Sequence, residues 1–387
     1  MIELIRALNE DRPLCSNHIT DNPIKAFIKK TGSIGECSYC GKKKNVTSFI
    51  KVASFIKKGI LRFYGDANNE GCSWDKEEQK SLVATYDTEE LLKDKINLRV
   101  DNDLLMCDLI DYLGDGTWCK LDPYGDDEDE ELSYNWDEFK RVVKHVSRYV
   151  FFGSKQFKSG MNGAYVDNIL YEIGKRVNKL KLFSTLEPGT DFYRCRRHSF
   201  KKKPVKAEDF TSPSNDEAKF PNRMSPAGIS MFYAAFNPET AYEETLDPNS
   251  KFPIEIMSTG VFKNNKELTL INLARLPPLP SIFDQKKSSD YYSMVFLEKF
   301  VNDLSATVAK DGSEHIEYIP TQIITEYFRY THGDLTGKII DGIIYPSSRN
   351  PGNEACVLFF DQSQCLEKMD FLANRVHRKP IPRLTII

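Results

Sequence analysis

The sequence predicts an α+β protein with a mainly helical N-terminal domain and a C-terminal domain rich in short strands. Its 387 residues are about two and a half times the commonest single-domain length, which favours two domains. Apolar residues recur at helical spacing in the first half, and short β-like runs follow the breaker Glu187-Pro188-Gly189. We therefore predict domains at residues 1–186 and 187–387.

The N-terminal half is predicted to contain two helical stretches. Leucines and isoleucines lie at roughly helical spacing between residues 75 and 115, and a second stretch of this kind covers residues 136–180. Between them, residues 126–131 are six consecutive acids, which indicates a solvated loop. Residues 1–60 are expected to form short helical or loop pieces around a group of cysteines.

The C-terminal half is predicted to form strands separated by turns. Asn237-Pro238 is a good helix start after the first of them, because Asn caps a helix and Pro is preorganised for its first position. This start puts Glu243 and Glu244 on the second turn of the helix, just beyond the end of a strand. The predicted strands cover residues 228–236, 259–262, 268–273, 338–345 and 355–360.

The composition excludes several classes of protein. Hydrophobic residues make up 40% of the chain and aromatic residues 12%, which is enough for a sizeable core and excludes wholesale disorder. The net charge of −3 argues against a protein held to nucleic acid by bulk charge. No apolar run approaches the roughly 18–20 residues of a spanning helix, and the N-terminus lacks a signal-peptide layout. We expect a soluble, cytoplasmic protein with no membrane partner, and the charge balance argues against nucleic acid as a partner but leaves room for local basic patches.

Two tight pairs of metal-ligand residues lie near the N-terminus. Nine cysteines, an odd number, do not fit a disulfide framework in a long chain of this kind. Cys15 and His18 form a C-x2-H pair, and Cys37 and Cys40 form a C-x2-C pair followed by Gly41, which suits a tight knuckle turn. Together they can close a tetrahedral Cys3His zinc site, which would be structural because no coordination position stays open. The alternative is two accidental pairs of buried thiols with a surface histidine.

Charged and hydroxyl side chains concentrate in the C-terminal half. Residues 192–203, FYRCRRHSFKKK, form either a solvated basic strand edge or an anion site, since arginine suits bidentate phosphate binding. A carboxylate at Glu243 or Glu244 normally faces water, so its spacing alone does not make it functional. The polar loop that begins at Ser347 and Ser348 offers hydroxyls and amides to a ligand.

Four separated segments resemble the RES domain, in that family's order of motifs. The family takes its name from an Arg, a Glu and a Ser, and many members are toxins of bacterial toxin–antitoxin pairs. The similarity covers roughly residues 187–375. The N-terminal CSNH and CSYCGK resemble a module that accompanies certain RES and HEPN proteins. The four RES segments are YR at 193–194, RMSPAGISMFYAAFNPETAYEE at 223–244, YIPTQIITEYFR at 318–329 and DGIIYPSSRNPGNEACVLFF at 341–360.

The resemblance implies an ADP-ribosyltransferase-like fold with NAD as substrate. Family members hydrolyse or phosphorolyse NAD, or transfer its ADP-ribose to a protein. The implied catalytic residues are Glu244, Ser347 and Tyr233, and the implied NAD-binding residues are Arg194, Arg223 and Asn353. Three of these positions have a competing neighbour, namely Arg196 for Arg194, Glu243 for Glu244 and Ser348 for Ser347.

These residue types suit cleavage of the nicotinamide–ribose bond. Nicotinamide is a cationic leaving group that departs neutral, so no general acid is needed. Positive charge develops on the ribose, as in glycoside cleavage, and one nearby carboxylate can stabilise it. Two arginines can hold the pyrophosphate, a tyrosine can stack on nicotinamide or fence it in, and a serine can orient phosphate or water.

Several functions follow from this hypothesis and from its competitors. The first is an NAD-consuming toxin or phage-defence effector, with a separate antitoxin or regulatory protein and a second copy of the chain as candidate partners. The second is an ADP-ribosyltransferase that modifies a protein. The third is a catalytically inactive, zinc-bearing interaction protein. The fourth is an RNase. HEPN ribonucleases need an Arg and a His separated by four to six residues within a helix, whereas Arg141 and His145 have only three residues between them.

Overall fold

The structure is a computed structural model that describes residues 11–75, 80–152, 158–159, 164–246, 255–308 and 312–381. By its contacts the chain divides into two compact units. Unit 1 comprises Met1–Asp129 and Pro278–Val295, and unit 2 comprises Glu130–Pro277 and Phe296–Ile387. The described residues between 130 and 186 therefore belong to unit 2, and the domain boundary at residue 186 stays a prediction. Among the described residues, no helix combines the length and the apolar character needed to cross a membrane.

Unit 1 combines helices with small antiparallel sheets. Its largest sheet has three strands, in the order β1-β3-β2 once the elements are numbered along the chain. The strands are β1 Pro13–Cys15, β2 Ser33–Glu36, β3 Lys43–Ser48, β4 Tyr64–Asp66, β5 Trp74–Asp75, β6 Lys80–Ser81 and β7 Trp118–Lys120. The helices are α1 Asn22–Thr31, α2 Phe49–Ile60, α3 Thr88–Glu90 and α4 Asp103–Leu113, with a 3-10 turn at Ser16–His18 and a π-helical segment at Leu91–Lys95.

Side-chain caps explain where three helices of unit 1 begin. The carboxylate of Asp21 accepts a hydrogen bond from the backbone N–H of Ile24, and Ser48 and Asn102 cap α2 and α4 in the same way. Such a cap satisfies one of the orphan N–H groups of the first turn. The apolar faces of these helices then meet in one core, in which Ile28 is fully buried.

The remaining elements begin at Glu128 and lie mostly in unit 2. The helices are α5 Glu128–His145, α6 Asn168–Lys179, α7 Ala207–Phe210, α8 Pro238–Thr245, α9 Tyr291–Ser305, α10 Glu314–Glu317, α11 Ile319–Glu326, α12 Gly333–Thr336 and α13 Gln362–Lys368. The strands are β8 Lys158–Ser159, β9 Ala164–Tyr165, β10 Phe183–Leu186, β11 Asp191–Ser199, β12 Phe232–Ala235, β13 Glu255–Asn264, β14 Leu268–Asn272, β15 Gly342–Pro346, β16 Glu354–Leu358, β17 Met369–Phe371 and β18 His377–Pro380.

A nine-stranded mixed sheet organises unit 2. Its order is β10-β14-β15-β16-β12-β11-β13-β17, and β18 also pairs with β13. Only β14 and β15 pair in parallel among the described strands. Because side chains alternate along a strand, Ile343 of β15 joins the core on one face of the sheet, while Ile344 joins the core on the other.

The five predicted strands and the predicted start of α8 are confirmed, with ends shifted by a few residues. The prediction of a loop at residues 126–131 is wrong in part, since α5 begins at Glu128. Acidic side chains stabilise the first turn of a helix because they face its partially positive N-terminus. Part of the stretch at 75–115 is helical, but β5 and β6 lie at its start.

Candidate functional site

A cavity of about 600 Å³ opens in unit 2 beside β11 and β12. Strand β11 pairs with β13 over its whole length, but in the described residues it pairs with β12 only at Tyr193 and Ala235. Arg194, Cys195 and Arg196 of β11 and Tyr233 and Ala234 of β12, which flank this pair, line the cavity. The volume is in the range of small-molecule sites. The divergence of two central strands therefore creates the site.

Glu244 lines this cavity from the last turn of α8. The side chain of Asn237 caps the helix by accepting from the N–H of Thr240 at 2.8 Å. The hydroxyl of Ser347 donates to the Glu244 carboxylate at 2.5 Å, and it accepts from the backbone N–H of Asn350 at 3.0 Å. Because Ser347 is buried and its hydroxyl makes both of these hydrogen bonds, it holds the Glu244 carboxylate in one orientation. Glu243 is not among the residues that line the cavity.

Tyr233 and Tyr345 are two of the four tyrosines that line the cavity. The hydroxyl oxygen of Tyr233 accepts from the N–H of Met224 at 3.1 Å and hydrogen-bonds the hydroxyl of Ser225 at 3.0 Å. Desolvation raises the pKa of Tyr233 to about 12. Burial and then the Glu244 carboxylate raise the pKa of Tyr345 well above its usual range. Both hydroxyls therefore stay protonated at physiological pH, and the two hydrogen bonds of Tyr233 hold its ring in place.

Arg194 is a buried arginine that forms no ion pair with a carboxylate in the part of the chain that the structure describes. Its side chain is 6% exposed, and its guanidinium carbon lies 4.8 Å from the centre of the Phe232 ring. Among the described residues, its Nε and Nη1 atoms find no hydrogen-bond partner. Burial, together with the nearby charge of Arg196, lowers the pKa of Arg194 well below its usual range. Buried donors that lack acceptors are costly, so this group is suited to a bound anion.

Arg196 and Arg223 are two of the three further arginines that line the same cavity, and Arg349 is the third. Arg196 donates to the carbonyl of Thr211 at 2.6 Å, and burial lowers its pKa to about 10. Arg223 donates to the carbonyl of Leu304 at 2.7 Å. Both guanidinium groups keep further N–H donors, because a guanidinium offers five. The cavity is thus positive on the arginine side and carries a carboxylate at Glu244.

The other predicted site residues lie around this cavity in different ways. Ser348 lines the cavity, whereas Ser347 does not line it but donates a hydrogen bond to Glu244, which does. Asn353 is not among the lining residues, and its side chain accepts from the Asn237 amide at 3.2 Å. The sequence reasoning missed Tyr345, although this residue precedes Ser347 by two and so lies on the same face of β15 and its extension.

Family models match both halves of the chain. The model described as the RES domain matches residues 191–372, and the one described as HEPN/RES N-terminal domain 1 matches residues 30–157. The chain is a RES-domain protein. The RES match contains all six residues predicted for the site, and this membership is consistent with a toxin-like, NAD-related enzyme. No curated protein matches the chain.

The four predicted metal ligands meet in unit 1, where they could bind zinc. The ligand atoms of Cys15, His18, Cys37 and Cys40 all lie within 4.8 Å of one another. The sulfurs of Cys15 and Cys40 are 4.0 Å apart, close to the roughly 3.8 Å edge of a tetrahedron with Zn–S bonds of about 2.3 Å. Gly41 has a φ of +62°, which lets the chain turn sharply after Cys40. Cys37 and Cys40 lie within the match to the HEPN/RES N-terminal domain, and Cys15 and His18 precede it.

The surroundings of the cluster fit a metal ion. His18 Nδ1 lies 2.7 Å from the carboxylate of Asp101, and its buried Nε2 finds no hydrogen-bond partner among the described residues. A carboxylate on one ring nitrogen leaves the other free to bind a metal. Burial raises the pKa of the Cys37 thiol, but the backbone N–H groups of Cys15, Tyr39 and Cys40 outweigh it and lower the value to about 7. The Cys37 thiolate is thus accessible near neutral pH, whereas burial raises the pKa of Cys15 to about 11, so binding of a metal would have to release that proton.

Proposed function

We propose that this RES-domain protein cleaves the bond between nicotinamide and ribose in NAD. The observation that carries the proposal is Arg194, a buried guanidinium whose Nε and Nη1 find no hydrogen-bond partner among the described residues, in the cavity that Glu244 also lines. Burying a cation without compensation costs several kcal/mol, on the order of 3–5 where measured, so the site is built for an anion. A dinucleotide supplies that anion as its pyrophosphate.

In this proposal Glu244 stabilises the ribosyl cation. Its carboxylate would lie beside the ribose as nicotinamide leaves and would interact with the developing charge more strongly than with the ground state. Ser347 is a positioning residue, because its hydroxyl already donates to the Glu244 carboxylate. This role differs from the predicted one, in which the serine orients phosphate or water.

The remaining side chains would bind NAD and exclude water. Arg194 and Arg223 would hold the two phosphates, with Arg196 as a neighbouring donor. Tyr233 would fence in the nicotinamide ring, since its hydroxyl is already bonded to Met224 and Ser225 and the ring is fixed. We propose that Asn353 helps to position α8, because its side-chain oxygen accepts a hydrogen bond from the amide of Asn237, the residue that caps this helix.

The cysteine cluster would hold zinc as a structural ion. Cys15, His18, Cys37 and Cys40 supply four ligands and leave no open position, so the metal would cross-link β1, the knuckle and the first 3-10 turn. All four ligands lie outside the RES match, so NAD cleavage would not need the metal.

The biological setting follows from the family and the reaction. An enzyme that depletes NAD harms the cell that contains it, which suits a toxin or a phage-defence effector held inactive by an antitoxin or another regulatory protein. Transfer of ADP-ribose to a protein remains the alternative, because water, phosphate and a side chain all attack the same ribosyl carbon.

The test is to incubate the purified protein with NAD and to measure free nicotinamide by chromatography. We expect nicotinamide from the wild-type protein and none above background from Glu244→Gln. Products identify the acceptor: ADP-ribose indicates water, its phosphate ester indicates phosphate, and a mass increase on a protein indicates transfer. If NAD stays intact with folded wild-type protein, with and without phosphate and candidate protein acceptors, the proposal is refuted.

A further inference from the structure

The charge of unit 1 is divided sharply along the chain. Residues 12–62 contain eleven Lys and Arg against two Asp and Glu, a net charge of +9. Residues 63–129 contain six Lys and Arg against nineteen Asp and Glu, a net charge of −13. The net charge of −3 for the whole chain conceals this basic segment, because the acids that follow cancel it.

The basic segment folds so that lysines surround a pair of aromatic rings. Phe27 of α1 and Phe55 of α2 stack with their centres 4.5 Å apart and their planes inclined by 15°. Both rings are half-buried. Lys30 lies one turn after Phe27, and Lys51 and Lys58 lie one turn before and after Phe55. Each ring is therefore next to lysines on its own helix.

We name the exposed lysines Lys29, Lys30, Lys51 and Lys58 the lysine surface. In the part of the chain that the structure describes, none of these four forms an ion pair with a carboxylate. The knuckle contributes further cations nearby in the chain, at residues 42–44. The C-terminal turn of α1 contacts the strand that follows the knuckle, since the Asn45 amide lies 3.4 Å from the carbonyl of Lys29.

We propose that the lysine surface binds the phosphate backbone of single-stranded nucleic acid. A single small anion would need converging, buried donors such as those at Arg194, whereas separate exposed point charges suit a chain of repeated phosphates. Phe27 and Phe55 pack against the core of unit 1 but remain partly exposed, so a base can contact the exposed part of each ring, and basic surfaces with aromatic rings are typical of single-strand binders. This partner departs from the expectation drawn from the charge of the whole chain.

The test uses the full-length protein and a labelled oligothymidine of about 20 nucleotides in an anisotropy titration, with salt varied from about 50 to about 200 mM. Four neutralised phosphates predict a slope of log K against log salt of about −3 for a single strand. The double variant Lys30→Gln/Lys58→Gln should reduce that slope by about 1.4 and weaken binding several-fold at low salt. The matched control, Lys93→Gln/Lys175→Gln, removes two exposed lysines elsewhere and should bind like wild type.

Three results would overturn the proposal. The first is the absence of salt-dependent binding to the oligonucleotide. The second is equal binding by the two double variants, once circular dichroism shows that both are folded. The third is tighter binding to anionic phospholipid vesicles or to polyglutamate than to the oligonucleotide, which would indicate a membrane or an acidic protein instead. Nicotinamide release is a separate readout, and we expect Lys30→Gln/Lys58→Gln to leave it unchanged.

Discussion

Replacing Glu244 with glutamine tests the proposed chemistry most directly. The change keeps the shape of the side chain and removes its charge. Two unit charges about 4 Å apart interact by about 4 kcal/mol at an effective dielectric constant of about 20. Glu244 is only partly buried, so solvent screening lowers this energy. A loss of about 3–4 kcal/mol corresponds to a fall of roughly 10²–10³ in kcat.

The assay is nicotinamide release over a range of NAD concentrations, so that kcat and KM are separated. An interaction made mainly in the transition state should lower kcat and kcat/KM together and leave KM nearly unchanged. Glu243→Gln is the matched control, because the adjacent residue points about 100° away on the helix and does not line the cavity. If Glu243→Gln abolished release while Glu244→Gln retained it, the assignment would be off by one residue. If neither substitution changed the rate, the electrostatic role proposed for the Glu244 carboxylate would be wrong.

Three further predictions follow from the site and the metal cluster. Ser347→Ala should lower kcat by about ten- to a hundredfold, because a hydrogen bond to a charged group contributes about 1.5–3 kcal/mol, and unchanged kinetics would exclude the positioning role. Arg194→Lys and Arg223→Lys should each raise KM for NAD about tenfold with a smaller effect on kcat, since lysine cannot bind phosphate through a planar fork; calorimetric titration with NAD measures the affinity directly. Cys37→Ser should lose one equivalent of zinc by elemental analysis and increase hydrogen exchange in β1–β3, while NAD cleavage persists; full zinc retention would contradict the assigned ligands.

The sequence determined the elements that depend on local patterns. The start of α8 at Asn237-Pro238 follows from a cap and a proline within two residues, and the C-terminal strands follow from short apolar runs between turn residues. The pairing of Cys15 and His18 with Cys37 and Cys40 was also predictable, because ligand spacing within each pair limits where the atoms can lie. The start of α5 was missed, because a run of acids suits both a solvated loop and a helix N-terminus.

Only the tertiary structure decided which of two adjacent residues faces the cavity. Glu243 and Glu244 have the same chemistry and neighbouring positions, but the hydroxyl of Ser347, 103 residues away in the chain, bonds to Glu244. Likewise, Ser348 lines the cavity and Ser347 does not, because the loop after β15 turns between them. These distinctions depend on the contact between the loop after β15 and α8, and on the divergence of β11 from β12. No local pattern in the sequence encodes such contacts, since each joins segments that are distant in the chain.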